Sequence, residues 1–110
     1  MGMVPWDKLV ERVAHAKERI RELKLSCCDT ARHCIFDDLL AYVDEVEQHM
    51  KTSEAHKLDG EAERKMLRCG EVLGKLSMGC CNPWRLSGYN ECVALLNEVL
   101  LRSALFSKKT

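Results

Sequence analysis

Residues 5–28 read PWDKLVERVAHAKERIRELKLSCC, and their apolar spacing decides the fold class of the whole chain. Trp6, Leu9, Val13, Ala16, Ile20, Leu23 and Cys27 follow one another at steps of 3, 4, 3, 4, 3 and 4. That alternation places all seven on one helical stripe, and its strictness fits a coiled-coil-like seam better than a broad globular face. Pro5 suits a first helical turn, where its missing N–H costs nothing, and Asp7 favours the positive end of the helix dipole. A helix over about 5–25 is expected.

The same spacing recurs further along. Ile35, Leu39, Tyr42, Val43, Val46 and Met50 lie at helical intervals, with Ser26 and Asp29 placed as a capping box before them. A second helix over about 27–57 follows, ending before the turn residues Leu58, Asp59 and Gly60. Ala62, Met66, Cys69, Leu73 and Leu76 mark a third over 61–78. Gly70 and Gly74 lie on one face of it, where a neighbouring helix is expected to approach closely. Gly79-Cys80-Cys81-Asn82-Pro83-Trp84 breaks the pattern, and Ser87 is placed to cap a fourth helix over 87–106. That helix is apolar almost all the way round, so burial on several sides is expected.

Nothing in the chain alternates with the period of a strand. The expected architecture is all-α: one domain over residues 1–110, a four-helix antiparallel bundle whose first helix is coiled-coil-like. At 110 residues the chain is large enough for a core of its own. The apolar excess of the fourth helix points to a homodimer. Trp6, Leu9, Val13 and Ile20 on the first helix, with Val99, Leu100 and Phe106 on the fourth, are the candidate self-association residues.

Formal charges cancel, 17 basic against 17 acidic, which excludes a global field of either sign. The cancellation is segregated, however: residues 1–28 carry +2, residues 29–63 carry −7 and residues 64–110 carry +5. An acidic middle between basic ends suits pairing within the chain or between subunits. Two basic stripes offer an alternative. Lys8, Arg12 and Arg19 on the first helix and Arg64, Arg68 and Lys75 on the third have the spacing to touch the phosphates of duplex RNA or DNA, without reading sequence.

Seven cysteines are present, an odd number. No secretion signal, myristoylation pattern or span of about 18 apolar residues accompanies them. The expectation is a cytoplasmic or nuclear protein, off the membrane, with its thiols reduced or metal-bound. In an up-down-up-down bundle the doublets Cys27-Cys28 and Cys80-Cys81 share one end with His33 and Cys34. Those six residues are the candidate ligands of a structural zinc, which needs four thiolate or imidazole donors in tetrahedral array. The competing readings are a thiol-rich apolar cap that holds no cofactor, and a redox-active or intersubunit thiol. Cys69 and Cys92 fall on apolar positions and read as core.

Catalysis has little footing. His33 and Cys34 are adjacent, and adjacent helical side chains diverge by about 100°, too far to act as a nucleophile–base dyad. Asp37, Asp38, Asp44 and Glu45 read as solvated surface. The expected function is therefore non-catalytic: a small intracellular protein acting through protein–protein binding and self-association. A duplex-binding dimer and a zinc-stabilised adaptor are the alternatives.

Overall fold

A computed structural model describes residues 5–27, 29–53, 58–79 and 83–108. Four helices occupy most of them: α1 Trp6–Leu25, α2 His33–Thr52, α3 Gly60–Met78 and α4 Leu86–Lys108. Short 3-10 turns at Thr30–Arg32 and Pro83–Arg85 lead into α2 and α4. No strand occurs among the described residues.

Each helix begins for a local reason. Pro5 stands one residue before α1, extended at φ −59° and ψ 150°, and its carbonyl accepts from the Lys8 and Leu9 amides. Asp59 caps α3: its carboxylate accepts from Ala62 N at 2.7 Å. That backbone bond, chiefly, holds the Asp59 carboxyl below its ordinary range. Gly60 is thus the first residue of α3 rather than the end of a turn.

The second helix is shorter than its apolar spacing predicts. Ser26 terminates α1, its amide and hydroxyl both donating to Glu22 O. Asp29 accepts from Ala31 N at 3.0 Å and so caps the 3-10 turn. With both ends of the expected capping box engaged elsewhere, α2 starts at His33. It stops at Thr52, where Ser53 turns extended. Ser87 lies inside α4 instead of capping it.

Helical spacing predicts most of the core, although on α2 Ile35 and Tyr42 are exposed and Phe36 is buried instead. Trp6, Leu9, Val13, Ala16, Ile20 and Leu23 of α1 are all buried, and they meet Phe36, Leu39, Val43, Val46 and Met50 of α2. Met66, Cys69 and Leu73 of α3 and Tyr89, Cys92, Leu96 and Val99 of α4 complete it. The Phe36 and Tyr89 rings join α2 to α4 with centroids 6.5 Å apart, tilted by 36°. Each helix packs on two others in a ring: α1 and α3 both lie against α2 and α4.

Contacts between neighbours match early residues with late ones. Trp6 Nε1 at the start of α1 donates to Met50 O near the end of α2, at 2.9 Å. Lys17 meets Asp44 and Lys24 meets Asp37. Between α1 and α4, Arg12 pairs with Glu98 and Arg19 with Glu91. Between α2 and α3, Glu45 pairs with Lys65.

Gly70 and Gly74 do not mark a close approach. A Cβ at either would meet nothing within 4 Å. The tight contact falls at Gly88 instead, where a Cβ would come within 3.2 Å of Leu23 Cδ2. Nor is α4 buried all round: Leu101 is exposed while Tyr89, Cys92, Leu96 and Val99 face the core.

Candidate functional site

Hydrogen bonds from two arginines assemble one end of the molecule. Arg85, just before α4, donates through Nε to Ser26 Oγ at 3.1 Å and through Nη2 to Leu23 O. The start of α4 is thereby tied to the end of α1. Arg32, just before α2, donates to Leu76 O at 3.3 Å and to Gly79 O at 3.1 Å, tying the start of α2 to the end of α3. A Cβ at Gly79 would displace the tip of that guanidinium, so the glycine leaves Arg32 room to reach both carbonyls. Each arginine satisfies carbonyls that a helix end leaves without partners.

This end carries apolar surface that the core has not absorbed. Leu25 is 75% exposed, Met78 87% and Trp84 88%, with Leu86 and Ile35 exposed to a lesser degree. They come from the last residues of α1 and α3 and from the first turns of α2 and α4. Large apolar side chains left together in water are a common mark of an interaction surface. Tyr89, beneath them, is covered by Arg85, whose guanidinium carbon lies 5.4 Å from the ring centroid.

The thiols divide into two kinds. Cys27 is partly exposed and Cys34 exposed, and their Sγ atoms lie 3.5 Å from Asp29 O and Ala31 O respectively. Cys69 and Cys92 are buried, and burial pushes both thiols up to about 12, which leaves them protonated and inert. Cys28, Cys80 and Cys81 lie outside the described residues. His33 opens α2 with its Nε2 buried and without a hydrogen-bond partner among the described residues. No group of three or more His, Cys, Asp or Glu side chains suited to a metal ion occurs among the described residues.

The two basic stripes differ. On α1, Lys8 lies 3.3 Å from Glu11, Arg12 pairs with Glu98 at 2.9 Å, and Arg19 contacts Glu22 at 2.8 Å and Glu91 at 3.1 Å. Glu22 first, then Glu91, raises the affinity of Arg19 for its proton. His15 joins the same acids through Glu91 at 3.2 Å. On α3, Arg68 meets Glu71 at 3.4 Å, while Arg64 and Lys75 make no ion pair among the described residues. Because α1 and α3 lie across the ring from each other, the stripes do not share a surface of one chain.

The expected self-association residues are placed mostly inside. Trp6, Leu9, Val13, Ile20 and Val99 belong to the core of this chain, and Leu100 is half-buried against it. Phe106 lies in α4 beyond the residues whose side chains are described.

The sequence reading did not single out Arg32 or Arg85. Their signal was positional: each directly precedes a helix and follows a chain break. The chain matches no known protein family, no curated protein and no solved structure. No helix among the described residues is long and apolar enough to cross a membrane.

Proposed function

We propose that this protein is a small non-catalytic binding module, an antiparallel four-helix bundle that associates with itself and presents its Arg32–Arg85 end to a protein partner. One observation carries the reading: Leu25, Met78 and Trp84 stand more than three-quarters exposed or at that mark on a single end, above a core that is already filled. The end is held by two arginine clamps, so its geometry is set before a partner arrives, which lowers the ordering cost of binding. An exposed tryptophan beside aliphatic side chains is the composition from which interface anchors are drawn. The reversed order of contacts along α1–α2, α1–α4 and α2–α3 supports the antiparallel arrangement.

The neutralised stripe favours this reading over duplex binding. Arg12 and Arg19 are already matched by Glu98 and Glu91, so releasing them to phosphate would cost the acids their partners. Zinc remains an alternative duty for the same end, through Cys27, His33 and Cys34 with Cys28, Cys80 and Cys81.

The test is photo-cross-linking in cells from a probe at residue 84, compared with a Leu25→Ser/Met78→Ser variant. Loss of specific cross-linked proteins in the variant, with helicity unchanged, is the expected result. An identical set of cross-links in both would sink the binding-end proposal. Native mass spectrometry on protein purified without chelator separates the zinc alternative, which adds about one zinc mass per subunit.

A further inference from the structure

Two clefts line up along the seam between α2 and α3. The first, of about 320 Å³, is lined by Ile35, Asp38, Leu39, Tyr42, Arg68 and Val72. The second, of about 330 Å³, continues from it past Tyr42 and Arg68 to Glu61, Arg64 and Lys65. Lys65 bonds to Glu45 across the seam and closes the groove at that point. At its other end the groove opens at Ile35, one of the exposed apolar residues of the Arg32–Arg85 end. From Ile35 to Glu45 the run is about 15 Å, close to three helical turns.

Floor and rims differ in character. Leu39 is buried in the floor, while Ile35 and Tyr42 stand exposed and Val72 is half-buried, so apolar surface here still faces water. The α2 rim carries Asp38 and Glu45. On α3, at about 100° per residue, Arg64, Arg68 and Lys75 fall within an arc of about 40°, outward of Val72. Several of these charges are already engaged: Glu45 and Glu61 by Lys65, and Arg68 by Glu71 at 3.4 Å. Arg64 and Lys75 on the α3 rim and Asp38 on the α2 rim make no ion pair among the described residues.

We propose that this groove receives a single amphipathic helix of the partner protein, with aliphatic side chains over Ile35, Tyr42 and Val72 and carboxylates along the edge that meets Arg64 and Lys75. The inference rests on the partner-binding reading above and extends it from the apolar end into the adjoining seam. Shape selects one helix over a second copy. A copy set against this face about a two-fold axis would bring its own groove, and two concave surfaces leave a void whose lining loses its contacts. Each cleft alone is at the small end of the ~300–1,000 Å³ range of ligand pockets, whereas two in line suit the successive anchors of a helix at i, i+4 and i+7.

Charge selects the edge. Arg64 and Lys75 are separated by about 16 Å along α3, so acids three turns apart on one side of the incoming helix match both. A basic edge would set like charges together there. Asp38 on the opposite rim repels the acidic edge and so fixes which way round the helix lies.

The probes are two stapled helical peptides of about 15 residues with leucines at i, i+4 and i+7, one carrying glutamates along one edge and the other lysines there. Titrated into the isotope-labelled full chain, the acidic peptide should shift the amide resonances of Ile35, Tyr42, Arg68 and Val72. It should bind about 5-fold or more tightly than the basic one. Arg64→Glu/Lys75→Glu should reverse that preference with unchanged circular dichroism. Equal affinities, shifts elsewhere on the bundle, or no binding up to about 1 mM would overturn the proposal. Shifts at the same amides on concentrating the chain alone would put a copy in the groove and overturn it too. If the groove fails while Leu25→Ser/Met78→Ser still loses its cross-links from residue 84, the binding end stands without it. If those cross-links persist in the variant while the acidic peptide fills the groove, the end fails and the groove stands.

Discussion

Replacing Glu47 by glutamine probes the one acidic side chain buried among the described residues. Glu47 is only 5% exposed on α2. Its Oε1 accepts from Lys17 Nζ at 2.5 Å, and its Oε2 lies 3.3 Å from Lys51 Nζ. Lys17 also lies 3.1 Å from Asp44 Oδ1. Burial pushes the Glu47 carboxyl upward, yet the bonds from Lys17 and Lys51 outweigh it and hold the group below its ordinary 4.5. The hydrogen bond to Glu47, first, raises Lys17 above its ordinary 10.5.

Glu47→Gln keeps the shape and one acceptor but removes the charge. Breaking a fully buried pair costs about 3–5 kcal/mol and an exposed one about 0–1. Asp44 still faces Lys17 in the variant and Lys51 reaches water, so the expected loss is about 2 kcal/mol at neutral pH. For a chain of this size that lowers Tm by roughly 8 °C.

The sign of the pH dependence follows from the depressed carboxyl. Its stabilisation is complete above the unfolded value and disappears as pH falls through the folded one. The Lys17 contribution is complete below its unfolded value and fades only as pH rises through the raised one. The gap between wild type and variant should thus be flat across neutral pH and close in acid. Urea melts of both proteins from about pH 8 to pH 2 measure it. A gap under about 0.5 kcal/mol at neutral pH, or one that does not narrow in acid, would refute the account.

Other consequences are cheaper to check. Leu96→Ala empties a fully buried position on α4 and should cost about 3 kcal/mol in chemical denaturation. Gly70→Ala and Gly74→Ala each place a methyl in open space on a helix, so each should stabilise the chain by about 0.5–1 kcal/mol; destabilisation would mean the flank is crowded. Arg85→Ala unties α4 from Leu23 O and Ser26 Oγ and should cost about 1 kcal/mol, read in urea, without altering the core. Native protein should react with a maleimide at Cys34, while Cys69 and Cys92 react only on unfolding. Labelling of the last two at the rate of Cys34 would contradict their burial.

What was legible in the sequence was whatever depends on periodicity. The α1 series from Trp6 to Leu23 is buried throughout, and Met66, Cys69 and Leu73 are buried on α3, because a stripe at heptad spacing has one face to hide wherever its neighbours lie. Helix ends were less legible. Ser26 and Asp29 have the spacing of a capping box, but each side chain finds a closer backbone partner, and such local bonds compete with the helix they seem to announce. The glycines of α3 misled for a related reason. Lacking a side chain, they record that space is available or needed at a position without saying which, and the close approach of another helix proved to be at Gly88, against Leu23.

Functional surfaces were harder to read because charge takes its meaning from partners remote in sequence. Arg12 and Arg19 look like a phosphate-binding stripe until Glu98 and Glu91, on the last helix, are folded against them. The acidic middle and basic ends did foretell pairing within the chain, and Lys17, Lys24 and Lys65 carry it out. Once those pairs are assigned, the distribution of what is left over becomes informative. Basic groups without acids among the described residues remain at Arg64 and Lys75, and apolar groups stand exposed at the Arg32–Arg85 end. Of these, the apolar end would gain by leaving water, since desolvating unmatched cations is costly whereas burying Trp84 or Met78 is favourable.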